Sequence, residues 1–240
     1  MEPLLVDDAG AQAAGVGQQA GVSVPAQALH VRRAPPPLHG GPLALLRFMR
    51  ANQMLRVSYL RLVVRYGLLR LRYRRRLQTD GLCFICPRVK LEIGRDAVLR
   101  VGRWAWIGHG CKIRVHEGEV SIGAKTVIGQ DCTISAYQHI AIGRECILAD
   151  RVMLIDFDHG VVEVERPIRL QGIYKRDVDV GHNVWMGYGA CVLRGVSIGD
   201  NSVVGTSAVV TRAAPANAVL AGVPARVIRM REAPTTMRWE

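Results

Sequence analysis

One histidine sits among carboxylates in a stretch of irregular sequence, Ile155-Asp156-Phe157-Asp158-His159-Gly160, which continues through Glu163, Glu165, Arg166, Pro167, Ile168 and Arg169. An imidazole that titrates near neutrality can take a proton from a hydroxyl, and a carboxylate beside it can fix its tautomer and stabilise the imidazolium that forms. His159 is therefore the candidate general base. Asp156 and Asp158 are both candidates to orient it, and either is equally suited to capping a turn. The other histidines in regular segments, His109, His116, His139 and His182, read as surface or structural groups. The six cysteines do not read as a disulfide framework. Cys111, Cys132 and Cys146 recur four residues after Ile107, Ile128 and Ile142, as buried free thiols would. Cys83-Phe84-Ile85-Cys86 lacks the second pair of a zinc site, so no metal is expected.

The elements that must position His159 announce themselves by a six-residue rhythm. Val180, Met186, Val192, Ile198, Val204 and Val210 are large aliphatics, and Gly181, Gly187, Gly199 and Gly205 follow four of them. Four residues after the first five aliphatics stand Val184, Ala190, Val196, Ser202 and Ala208, all small or β-branched. A helix needs a period of 3.6 and a lone strand a period of 2, so this spacing predicts a stacked solenoid, the left-handed parallel β-helix. The rhythm recurs upstream as Val101, Ile107, Ile113, then Ile122, Ile128, Ile134, Ile140, then Ile142, Leu148, Leu154, with phase slips expected to mark loops between coils. About three hexads make one triangular turn, and each aliphatic stacks about 4.8 Å from its equivalent in the next coil. Glycine after the aliphatic suits a corner that a Cβ would crowd. Flat coil faces pair with copies of themselves, so a homo-oligomer, a three-fold one, is expected.

The mainly β domain is expected over residues 80–230, with the excursion 155–179 as its catalytic loop and 231–240 as a C-terminal tail. A long departure from a regular solenoid is where function concentrates. Residues 1–42, rich in Ala, Gly, Gln, Val and Pro, read as a disordered tail. Glu2, Asp7 and Asp8 replace the basic start of a secretory signal, and no apolar run is long enough to span a bilayer, so a cytoplasmic protein is expected.

Residues 43–79 are different. From Leu43 to Gln78 there are ten arginines and no acid, which supplies most of the net charge of +12. Placed on a helix at about 100° per residue, Arg47, Arg50, Arg61, Arg65, Arg72 and Arg76 share one face and aliphatics cover much of the rest. Such a basic amphipathic helix can lie on an anionic membrane. Equally, it can cap the end of the solenoid with a solvated arginine face. Nucleic-acid binding is disfavoured, because no recognised module or stacking-aromatic motif accompanies the arginines.

From about Ile122 to Arg229 the chain resembles the hexapeptide-repeat O-acetyltransferases, which include maltose, galactoside and polysaccharide-modifying enzymes. The resemblance rests on Asn183-Val184-Trp185-Met186-Gly187, on Gly195-Val196-Ser197-Ile198-Gly199-Asp200-Asn201-Ser202-Val203-Val204-Gly205, and on the closing Ala221-Gly222-Val223-Pro224-Ala225-Arg226-Val227-Ile228-Arg229. It implies a homotrimer that uses acetyl-CoA as donor in a groove between subunits, a saccharide hydroxyl as acceptor, and His159 as the base. Trp185 takes the place of the tryptophan that shapes the acceptor and thioester region. Gly187, Thr206 and Thr211 would line the CoA, and Arg226 and Arg229, with Arg212, would meet its phosphates. A backbone N–H near Gly187 is the expected oxyanion donor. Two positions depart from the family pattern: Tyr188 stands where a serine is frequent, and Asp131 or Cys132 where an asparagine is frequent. An amino-sugar N-acyltransferase and a non-enzymatic scaffold docked to a membrane or partner are the alternatives. A γ-type carbonic anhydrase on this architecture is disfavoured, because no two histidines lie five apart.

Overall fold

The computed structural model describes Arg50 and residues 57–232, and from Leu77 onward the chain winds as a parallel β-solenoid. Its strands form three sheets visited in turn. The first sheet contains Leu77–Thr79, Val98–Val101, Glu119–Ile122, His139–Ile142, Val178–Val180 and Ser197–Ile198. The second contains Phe84–Ile85, Trp106–Ile107, Val127–Ile128, Ile147–Leu148, Trp185–Met186 and Val203–Val204, and ends in Ala218–Gly222 and Ala225–Met230, the last pair antiparallel. The third contains Lys90–Ile93, Lys112–Val115, Thr133–Ala136, Met153–Ile155, Cys191–Val192 and Val209–Val210.

The six-residue rhythm is the sum of a two-residue strand and a corner. Ile107 pairs with Ile128, Ile128 with Leu148, Leu148 with Met186 and Met186 with Val204, all in register and all buried. Parallel ladders on the other two sheets align Ile113, Ile134, Leu154, Val192 and Val210, and Val101, Ile122, Ile142, Val180 and Ile198. Each such side chain contributes about 1.5–3 kcal/mol by leaving water. One phase slip is not a loop. Ile140 and Ile142 both point inward from the four-residue strand His139–Ile142, where alternation places two side chains in the core.

The glycines after the aliphatics are required by the neighbouring coil rather than by their own torsions. A Cβ on Gly143 would stand 2.3 Å from the Gly181 carbonyl oxygen, and one on Gly108 2.2 Å from the Gly129 oxygen. The left-handed backbone falls elsewhere in the corners, on Lys125, Asp131, Glu145, Arg151, Asn183, Asn201 and Ser207. Each of these donates its N–H to the preceding coil, as Asn183 does to the Arg144 oxygen at 2.9 Å.

Strand N–H groups donate toward the C-terminal coils: Phe84 to Ala105, Cys86 to Ile107 and Lys90 to Cys111, each at 2.9 Å. The first coil is therefore left with carbonyls that no earlier coil can satisfy. Helix α1, Val57–Tyr73, and the 3-10 turn Arg74–Arg76 supply the missing donors. Arg65 reaches the oxygens of Ile85 (3.1 Å) and Val89 (3.3 Å), Tyr66 that of Gly81 (3.0 Å), Tyr73 that of Leu91 (2.7 Å) and Arg76 that of Ile93 (2.9 Å). Leu62 is buried beneath the helix, and Tyr59 sets its ring edge against Phe84 and Trp106.

The basic segment is thus a cap, but one of a different kind from that expected. Arg65 and Arg76 turn inward and Arg61 and Arg72 outward, so they do not form a single solvated arginine face. The helix ends before Arg76, and Arg47 lies outside the described residues, as do the expected 1–42 tail and residues 233–240 of the C-terminal tail.

Cys83, Cys86, Cys111, Cys132 and Cys146 are buried free thiols, and Cys191 is half-buried. Burial pushes the Cys83 thiol up to about 12 and that of Cys86 up to about 11. The thiolate is the reactive form, and burial keeps all five of these sulfurs from a reagent at pH 8. Alkylation of the native protein at pH 8, followed by peptide mass analysis, is expected to label Cys191 first and the other five only after denaturation. The glycine contacts predict opposite signs for two substitutions. Gly143→Ala should destabilise by about 1–3 kcal/mol through overpacking. Gly67→Ala, on α1 where a Cβ meets nothing within 4 Å, should stabilise by about 0.5–1 kcal/mol. Urea unfolding of the two variants measures both.

Candidate active site

After Ile155 the chain leaves the third sheet and does not rejoin the first until Val178. The excursion is built on a hairpin in which Phe157–His159 pairs antiparallel with Ile173–Lys175, His159 opposite Ile173 and Asp158 opposite Tyr174. Gly160 N–H closes the hairpin onto the Gly172 oxygen at 3.0 Å. Its tip is held by Gln171, whose amide donates to the oxygens of Glu163 (2.8 Å) and Arg166 (2.7 Å) and accepts from Glu163 N–H (2.9 Å).

The two carboxylates flanking His159 have different work. Asp156 is fully buried and accepts hydrogen bonds from the backbone N–H groups of Tyr137 (2.8 Å) and Gln138 (2.7 Å). It clamps the root of the excursion to the corner of the coil before it, which is a structural role. Asp158 pairs with Nε of Arg194, and the Arg194 guanidinium also lies 6.0 Å from the Tyr174 ring centroid. Among the described residues neither carboxylate, nor any other group, hydrogen-bonds the His159 imidazole. The ring of His159 instead ends a row of aromatic contacts: Phe157 stands 6.4 Å from it edge-on, Tyr137 4.7 Å from Phe157, and His116 stacks on Tyr137 at 4.3 Å. His159 itself is exposed and lines a cavity of about 620 Å³ with Asp158, Val161, Val162, Tyr174 and Arg194.

The remaining candidates lie elsewhere on the same subunit. Trp185 projects from the second sheet and is 54% exposed. Tyr188, at the next corner, is exposed with the Arg151 guanidinium 5.7 Å over its ring. Asp131 and Thr206 are exposed at that same series of corners, and Arg226 and Arg229 on the closing strand. Thr211 and Arg212 follow the last strand of the third sheet, where Arg212 repeats one coil later the position of Arg194. The hairpin springs from the corner between third and first sheets, whereas the second sheet is the face opposite that corner. One subunit therefore does not bring His159 together with Trp185. Gly187 N–H is bonded to the Val204 oxygen at 2.8 Å, which removes it as an oxyanion donor, and its missing side chain makes room for the Thr206 backbone.

Arg194, Tyr174 and the Phe157–Tyr137–His116 row were not singled out from sequence. Arg194 had a signal, since it stands two residues after a hexad aliphatic just as Arg212 does. The aromatic row had none, because its members come from three coils.

A family model for the hexapeptide repeat of succinyl-transferase matches residues 119–149 and 177–212, leaving the excursion unmatched between them. The chain is 37% identical over 201 residues to a probable acetyltransferase of Mycobacterium tuberculosis, covering 82% of this chain and 65% of that one. It is 40% identical over 144 residues to a galactoside O-acetyltransferase of Lactococcus lactis, covering 60% of this chain and 68% of the other. The chain spans 65% of the length of the first curated relatives. Among solved structures, the N-acyltransferase AntD of Bacillus cereus, in complex with dTDP and 3-hydroxybutyryl-CoA, shares the fold with a TM-score of 0.59 at 17% identity, over 70% of this chain and 88% of that one. Fold and repeat define a left-handed parallel β-helix with one long excursion. The chain belongs to the hexapeptide-repeat acetyltransferase family.

Loss of the Asp156 clamp leaves the N–H groups of Tyr137 and Gln138 without an acceptor. Asp156→Ala is expected to cost about 1.5–3 kcal/mol for each of the two charged hydrogen bonds and to open the excursion to proteolysis. Thermal melting and limited trypsin digestion, which reads Arg169, Lys175 and Arg176, check both effects.

Proposed function

We propose that this chain transfers an acyl group from a CoA thioester to a hydroxyl or amine of a saccharide, with His159 as the general base. The observation that carries this function is the placement of His159, an exposed imidazole without a hydrogen-bond partner of its own among the described residues, in a cavity of about 620 Å³ on the one long break in the repeat. Family membership supports the same chemistry. The galactoside O-acetyltransferase relative favours a hydroxyl acceptor and an acetyl group, for which acetyl-CoA is the proposed donor. The fold shared with an N-acyltransferase keeps an amino-sugar acceptor beside it, because an amine nucleophile asks the same of the base.

In the reaction, His159 accepts the proton of the acceptor as its oxygen or nitrogen attacks the thioester carbonyl. The tetrahedral intermediate expels the CoA thiolate, which takes the proton back from the imidazolium. The products are the acylated saccharide and free CoA. Because His159 and the second-sheet residues lie on different sides of one coil, the active site forms between subunits of a homotrimer. His159 of one copy then faces Trp185, Tyr188 and Asp131 of a neighbour, with Thr206 and Thr211 along the pantetheine. Arg212, Arg226 and Arg229 meet the CoA phosphates, a task suited to fixed positive charge with several donors. With the Gly187 N–H engaged in the coil ladder, a different donor must stabilise the oxyanion. Peripheral contact of the arginine-rich segment with an anionic membrane completes the proposal. No helix among the described residues is long and apolar enough to cross a membrane.

The test is transfer of labelled acetyl from acetyl-CoA to sugars, amino sugars and a cell-envelope glycan extract, with wild type and His159→Ala side by side. His159→Ala is expected to lose about 10²–10⁴-fold in rate while its CoA affinity is unchanged. Release of label by mild alkali identifies an ester and retention an amide. Transfer at the wild-type rate by His159→Ala would remove the base. Absence of both transfer and CoA binding in the wild type would leave a scaffold.

A further inference from the structure

Helix α1 satisfies the first coil with one face, and among the described residues nothing covers the opposite face. Leu62, Tyr66 and Tyr73 point toward the solenoid, while Val57, Leu60, Val64, Leu68 and Leu71 fall within about 80° of arc on the far side. These five side chains are between 56% and 69% exposed. Gly67 borders them, with open space where a Cβ would be. Water is a poor solvent for an aliphatic stripe four turns long, and such a contiguous patch marks a contact surface.

The charges around the stripe identify what covers it. Arg61 and Arg72 flank it and Arg74 and Arg75 follow the helix, all exposed, and α1 and its following turn contain no acid. A second copy of the same surface is a poor occupant, since residues 57–115 carry fourteen Lys and Arg against three acidic residues and would repel their like. An aliphatic stripe edged by arginines fits the boundary between acyl chains and anionic headgroups.

We infer that α1 docks the protein on the surface of an anionic phospholipid bilayer, with Val57, Leu60, Val64, Leu68 and Leu71 inserted at the acyl-chain boundary and Arg61 and Arg72 among the lipid phosphates. The inference deepens the peripheral-contact part of the proposal above and does not depend on acyl transfer. The helix acts as an adaptor: Arg65, Tyr66, Tyr73 and Arg76 hold it to the solenoid, so the membrane-facing stripe is used without giving up the cap.

The test is flotation of the full-length protein with vesicles of phosphatidylcholine alone and of an equimolar mixture of phosphatidylglycerol and phosphatidylcholine. Wild type is expected to float with the anionic vesicles, to float far less with the neutral ones, and to be released by salt. Leu60→Ser/Val64→Ser/Leu68→Ser should partition at least about tenfold more weakly, and Arg61→Gln/Arg72→Gln should lose about fivefold per arginine. None of these residues makes the hydrogen bonds of the cap, so circular dichroism and the melting temperature should match wild type. Wild-type binding to anionic vesicles would fail to appear if both the inference and the peripheral-contact proposal were wrong. Undiminished binding by the serine variant, with loss in the glutamine variant, would overturn insertion of the stripe and leave only electrostatic contact. A serine variant that melts lower or changes oligomeric state, from a wild type that ignores vesicles, would assign the stripe to a protein segment or a second copy instead.

Discussion

Everything in this protein depends on the stacking of one coil on the next at strand spacing, with backbone N–H groups donating along the solenoid axis. Aliphatic ladders fill the interior of each coil, but the backbone contact is the stricter demand. Where Gly143 faces Gly181 or Gly108 faces Gly129 there is no room for a single carbon atom. The same polarity creates an unfinished end, because the carbonyls of Ile85, Leu91 and Ile93 precede every coil that could have supplied donors. An arginine- and tyrosine-rich helix is a physical answer to that deficit, since its long side chains reach backbone oxygens from a helix that itself cannot join a sheet.

A core made of repeating ladders has no room for chemistry. The aliphatic positions are interchangeable from coil to coil, and an ionisable group among them would lose its hydration without gaining a partner. The proposed function is accordingly placed where, among the described residues, the coil opens. The opening is itself tightly controlled: Asp156 spends both carboxylate oxygens on the corner beneath the hairpin, and the aromatic row from His116 to Phe157 supports the strand that ends in His159. Support at the root and exposure at the imidazole suit the base proposed for His159.

The three-sided section has a further consequence for the site. A hairpin at one corner and Trp185 on the opposite face cannot meet across a filled core, so the proposed active site requires a second copy to complete it. The proposed membrane face of α1 is separate from that requirement, as it looks away from the first coil and shares no residue with the hairpin cavity.

The sequence by itself determined the solenoid, its three-sided winding and the location of the excursion, because a six-residue period is a local property that each coil repeats and that neither helix nor lone strand can produce. It also singled out His159 as a candidate base, through a break in that period and a family resemblance around it. What only the tertiary structure decided were the identities of partners far apart in the chain. Asp156 proved to serve a corner eighteen residues away, Asp158 an arginine thirty-six residues away, and Gly187 a neighbouring coil rather than an oxyanion. The direction of α1 was likewise beyond any helical projection. Periodicity separates arginines from aliphatics on a helix, but which face turns inward depends on what the docking surface lacks, and here that surface lacked hydrogen-bond donors as well as the apolar cover that Leu62 and Tyr59 supply.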